Sequence, residues 1–98
     1  MSPLPCSVQI GPFTYEVRPT NNEDIIGETH NEELRIEIRE GLPPQLEKET
    51  LLHEILHAIF FTLGLKTKMD EERIVETVSP ILLDVIRRNP DLKMYLFE

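Results

Sequence analysis

The sequence predicts a small α+β domain. Two observations carry this. The first forty residues hold short stretches of alternating apolar and polar residues broken by turn signals, and the remainder holds apolar residues at helical spacing. Strands first and helices after is the order of an α+β fold rather than of a doubly wound one. With 98 residues, one domain is expected, spanning 1–98. A core this small is limited, and a bound metal would help hold it.

Residues 1–6 read as a loose terminus, and 7–40 as the strand region. "SVQIGPFTYEVRPT" alternates on both sides of Gly11-Pro12, so two short antiparallel strands, about 7–10 and 13–18, are expected around a turn. "TNNED" reads as a polar loop, "DIIGETH" as a strand and "HNEE" as a turn. "LRIEIRE" places Leu34, Ile36 and Ile38 on one face and Arg35, Glu37 and Arg39 on the other, which marks a half-buried strand. Pro43-Pro44 opens a helix predicted over 44–63, and Gly64 stands where a left-handed cap belongs, with Leu65 as its hydrophobic partner. "KTK" is a linker, and Asp70 is an N-cap for a second helical region over 71–88. Pro80 should kink that region or divide it, with Ser79 capping the second part. Asn89-Pro90 stops it, leaving "DLKMYLFE" as a short tail that packs on the core.

The formal charge of -8 comes from interspersed acids and bases without a basic patch, which argues against nucleic acid as a partner. The longest apolar segment, "ILHAIFFTLGL", is too short to cross a bilayer and contains a histidine, so no membrane partner is expected. Cys6 is the one cysteine, which excludes an internal disulfide. A single thiol and no signal-peptide pattern point to a reducing, cytoplasmic setting.

Chemistry concentrates in "LLHEILHAIFF". At about 100° per residue, His53 and His57 leave the helix about 40° apart, so both imidazoles can reach one ion. Glu54 points about 100° from His53 and is placed to act on water rather than as a close ligand. This is the HExxH pattern of zincins. Neutral imidazoles suit zinc, which lowers the pKa of its water to about 7. The wheel also puts Leu52, Ile55, Leu56, Ile59 and Leu63 on a broad apolar face, with the histidines at its edge. The site is therefore expected to be half-buried at the base of a cleft. A catalytic zinc takes three protein ligands and keeps one open position. Asp70, Glu71, Glu72 and Glu76 of "MDEERIVETVSP" are the candidates for the third, and Glu72 and Glu76 lie one helical turn apart.

"TLLHEILHAIF" followed by a glutamate-led helix resembles the minimal zinc metallopeptidases of the ImmA/IrrE type, and among them the short stand-alone versions of phages and mobile elements. That family's second motif is E-x-x-A-N-x-F-A-x-x-L-L. Here it reads Glu72, Val75, Glu76, Val78, Ser79 and Leu82-Leu83, a match by residue type more than by identity. Starting at Glu76 would put Pro80 at the asparagine position and Arg87 at the second leucine, so Glu72 is preferred. A shorter likeness, "IVETVS" to a "VIETLC"-like segment of some members, favours Glu76 and keeps it as the alternative.

The resemblance implies a zincin-like fold, one Zn²⁺ per chain on His53, His57 and Glu72, and peptide-bond hydrolysis with Glu54 as general base. It implies a protein or peptide substrate, by analogy a regulatory protein, bound extended along a strand edge for which "LRIEIRE" is the candidate, with an interior strand as the equal alternative for that segment. The alternative is a catalytically silent, peptidase-like binding module that keeps the metal site. A purely structural zinc site fits less well, since such sites favour four ligands, often cysteine. His30, Tyr15 and Tyr95 are the neutral polar candidates for stabilising an oxyanion, and none is assigned that role.

Overall fold

In the computed structural model the chain folds as a four-stranded mixed sheet covered on one face by three helices. The structure describes residues 3–65 and 71–97, leaving aside the side chains at 71, 72 and 75. The expected linker 66–68 and the Asp70 cap lie outside the described residues. Strand β1 (Ser7–Ile10) turns at Gly11-Pro12 into β2 (Phe13–Thr20), followed by β3 (Gly27–His30) and β4 (Arg35–Arg39). Helices α1 (Pro44–Leu63), α2 (Glu71–Arg88) and α3 (Pro90–Phe97) complete the chain.

Strands β1 and β2 pair antiparallel as expected, but the N-terminal strands as a whole form a mixed and not an antiparallel sheet. The sheet order is β1-β2-β4-β3, with β2 and β4 parallel and the outer pairs antiparallel. The chain leaves β2, skips one place to lay down β3, and turns back through a 3-10 turn at Asn31–Glu33 so that β4 fills the gap. Of the two readings of "LRIEIRE", the interior strand is the one observed; the edges of the sheet are β1 and β3. Leu34, expected to point inward from the strand, stands just before it with φ 53°, an uncommon conformation for a bulky residue. Its side chain is partly buried against the core.

On the outward face Glu16 lies beside Arg35 and Arg18 beside Glu37. Unlike charges stand opposite each other across the parallel pair, although the ion pairs themselves run along each strand, Arg18 with Glu16 at 2.7 Å and Arg35 with Glu37 at 3.0 Å. Pro19 extends β2 beyond the expected end without losing a ladder bond. The amide of Val17 points toward the β1 side, where it meets Cys6 O at 2.9 Å, and Pro19 faces the same way past the end of β1.

The inward face carries Val8, Ile10, Tyr15, Val17, Ile36 and Ile38, all buried. Against it pack Leu51, Ile55, Ala58 and Ile59 of α1, Val78 and Val85 of α2, and Leu92 and Tyr95 of α3. Helix α1 has the predicted bounds and ends as expected: Gly64 is left-handed, its amide meets Phe61 O, and the Leu65 amide meets Phe60 O at 2.9 Å. Helix α2 runs through Pro80 without interruption, so the expected division at Ser79 does not occur. The tail is itself a helix, with Pro90 at its start, where a missing amide costs nothing. Among the described residues no helix is long and apolar enough to cross a membrane.

Asn89, between α2 and α3, covers the free edge of β1. Its Nδ2 donates to Gln9 O (3.0 Å) and Val85 O (2.6 Å), and its Oδ1 accepts from Gln9 N (2.9 Å). Asn89→Ala removes all three bonds and uncovers the edge. A loss of about 2–3 kcal/mol is expected in urea unfolding, at the usual net value of roughly 1 kcal/mol per bond.

The two tyrosines set an alkaline limit. Tyr95 donates to Glu47 Oε1 at 2.7 Å, and burial together with that carboxylate pushes its pKa well above the ordinary range. Burial also raises Tyr15, whose hydroxyl meets Asn31 Oδ1 at 2.9 Å. A folded pKa above the unfolded value of about 10 gives a contribution that is complete below about pH 10 and lost as pH rises further. The urea midpoint is therefore expected to fall above about pH 10, and less steeply in Tyr95→Phe.

Candidate metal and acid-base site

Helix α1 lies across the inner face of the sheet, with β3 beside it. Its core face differs from the one the wheel suggested. Thr50, Leu51, Glu54, Ile55, Ala58 and Ile59 are buried, whereas Leu56 and Phe60 are only partly so. The helix is apolar around most of its circumference, so periodicity alone left its rotation open. The sheet takes the side that includes Glu54.

This rotation separates the motif into two environments. Glu54 is only 6% exposed, while His53 and His57 are exposed. The expectation of half-buried histidines is thus corrected: they stand on the open rim, and the carboxylate lies behind them. The imidazoles meet edge to face, with ring centroids 4.8 Å apart, and their Nε2 atoms are 3.1 Å from each other. Two nitrogens on one tetrahedral zinc, each about 2.0–2.1 Å from the ion, stand about 3.3 Å apart. The pair therefore has the donor type and nearly the spacing of two zinc ligands.

Two residues that sequence reasoning did not single out hold Glu54. Thr29 Oγ1 lies 2.8 Å from Glu54 Oε1 and 3.1 Å from Glu54 O, so its single hydroxyl proton is shared between the carboxylate, the shorter contact, and the helix carbonyl. Gly27 makes the approach possible. A Cβ there would come within 2.6 Å of Thr50 Cγ2 and 3.1 Å of Glu54 Oε2, too close without movement. The signal was a glycine inside a strand pattern, which often marks a close backbone approach. With Oε1 held by Thr29, Oε2 lies beside Gly27.

The edge beyond β3 is open. Ile26 O accepts from Arg39 N at 2.9 Å, and strict alternation then turns the amides and carbonyls of Gly27 and Thr29 away from β4. Among the described residues no backbone group pairs with them. A cleft of about 470 Å³ opens at the start of this edge, lined by Ile26, Gly27, Leu46, Glu49, Thr50 and His53 together with Glu54.

The remaining candidates are placed as follows. Glu76 is exposed on α2. Glu71 and Glu72 open the same helix, and their side chains are outside the described residues, as is Asp70. Among the described residues, no three of His, Cys, Asp and Glu gather in a group that could hold a metal ion. His30 is on the outward face of the sheet, with Nε2 3.1 Å from Glu37 and 3.5 Å from Glu28, away from α1. Tyr15 and Tyr95 are buried in the core. Cys6 is exposed in the N-terminal segment.

Protein-family models, curated proteins and solved structures all fail to match the chain, so the chemistry of the site has to carry its interpretation.

Proposed function

We propose that this chain is a zinc-dependent endopeptidase of a minimal, zincin-like, ImmA/IrrE type. The observation that carries the reading is the division of labour within HEILH. Two imidazole nitrogens 3.1 Å apart face solvent, and a buried carboxylate behind them is held at one oxygen by Thr29. His53 and His57 would hold the ion with Glu72, and Glu76 is the alternative third ligand. When bound, zinc supplies Lewis-acid polarisation of a carbonyl and makes a water more acidic.

The chain's own groups supply the rest. Glu54 takes the proton of the attacking water at Oε2, since Oε1 is occupied by Thr29, and returns it to the leaving amine nitrogen. The open edge of Gly27 and Thr29 aligns an extended substrate by backbone hydrogen bonds, in the manner of an added strand. The substrate is a protein or peptide, by the family analogy a regulatory protein.

The test is cleavage of an unfolded protein by wild type with zinc, abolished by a chelator and by Glu54→Gln. Zinc-independent cleavage, or none at all, would sink the zinc-peptidase reading. Stoichiometric zinc without cleavage would leave a binding module of the same shape.

A further inference from the structure

We propose that the cleft beside β3 reads an apolar side chain of an extended peptide about three residues from the bond at the metal site, and that Glu49 disfavours acidic residues between the two. This rests on the peptidase reading for the position of the bond, but not for the binding itself.

Ile26 and Leu46 are 46% and 38% exposed, large aliphatic residues left facing water. Both line the cleft that also holds Gly27, His53 and Glu54. Ile26 immediately precedes the open edge of β3, and Leu46 lies in the first turn of α1. A peptide paired to the free groups of Gly27 and Thr29 would pass into this cleft at the Gly27 end, where alternate side chains would be directed into it.

Distance gives the register. Leu46 precedes His53 by seven positions, about 10 Å along a helix at 1.5 Å per residue. An extended chain covers that span in about three residues at about 3.3 Å each. The apolar seat is therefore remote from the reacting bond and contributes recognition rather than chemistry. A branched or aromatic side chain covering Ile26 and Leu46 removes apolar surface of both partners from water, which a polar side chain cannot do at equal gain.

Charge selects further. Glu49 is exposed on the same lining, one helical turn before His53, and the chain carries a net charge of -8. A carboxylate on the peptide between seat and metal would meet like charge, whereas a basic or neutral side chain would not.

The experiment uses labelled peptides identical except at one scanned position, carrying Leu, Ser or Glu, and reads fluorescence anisotropy on zinc-loaded Glu54→Gln, which leaves them uncut. The Leu peptide is expected to bind about ten-fold tighter than the Ser peptide when Leu stands at the seat. Ile26→Ser/Leu46→Ser should reduce that preference to about two-fold or less, with zinc content unchanged. Glu49→Gln should recover binding of peptides with Glu between seat and bond. Preference for Leu that survives in the double variant overturns the proposal, as does equal binding of Leu, Ser and Glu peptides or no binding of any. If wild type cuts nothing yet the Leu preference appears and the double variant abolishes it, the peptidase reading falls and the recognition subsite stands.

Discussion

Glu54→Gln is expected to lower peptide cleavage by at least about 100-fold while leaving zinc at one ion per chain, since general bases contribute roughly 10²–10⁴-fold. The substitution is chosen because glutamine has the shape of glutamate and keeps a carbonyl oxygen. Thr29 Oγ1 can still donate to it, as it does to Glu54 Oε1 at 2.8 Å. The helix therefore keeps its anchor to β3, and His53 and His57 keep their spacing. Only the ability to accept a proton at the second oxygen is lost. Alanine would confound this, because it would also empty a position that is 6% exposed and leave the Thr29 hydroxyl bonded to the helix carbonyl alone. Retained cleavage in Glu54→Gln would show that the base is another group. Loss of cleavage together with zinc would show that Glu54 chiefly fixes the helix against β3.

Much of the fold could be read in advance because local signals agreed with one another. Pro44 at the start and Gly64 at the end bound α1 by backbone chemistry that tertiary contacts do not override. The alternation of "RIEIR" marked β4 for the same reason, since one face had to be apolar. Strand order was not legible. Whether β4 pairs with one neighbour or two depends on where the chain goes after β2, and no residue in "TNNED" encodes the skipped place. The tail misled because Asn89-Pro90 reads equally well as the end of one helix and the start of another, and only the contacts of Asn89 with Gln9 distinguish them.

The site divided in the same way. His53 and His57 are neighbours through helix geometry alone, which any α-helix guarantees at that spacing. The burial of Glu54 depends on how α1 is rotated against the sheet. Its nearly all-round apolar surface does not decide this, and Gly27 does, by allowing β3 to approach. Thr29 could not be found without that contact, because a threonine in a strand has an ordinary reason to be there.

His53→Ala is expected to reduce zinc from about one ion per chain to near none, and Glu72→Ala to do the same, while Glu76→Ala retains the ion. Removing one of three protein ligands leaves two donors and additional water, too few for the sites zinc prefers. Stability supplies a second readout. An ion that binds only the folded chain, present at 100 times its dissociation constant, stabilises by about 2.7 kcal/mol. For a chain of this size that corresponds to a rise in melting temperature of about 10 °C or more, since each kcal/mol shifts it by about 4–8 °C. Wild type should show that rise on adding zinc, and His53→Ala should not, although its exposed side chain contributes little to the apo fold. The two glutamates then become separable without any substrate. Glu72 and Glu76 lie one turn apart on α2, so whichever one abolishes the zinc-induced rise fixes which part of that helix meets α1 at the metal. A rise lost in Glu76→Ala and kept in Glu72→Ala would move the ligand one turn along α2. A wild type whose melting point ignores zinc would leave the 3.1 Å contact between the imidazoles as a hydrogen bond and nothing more.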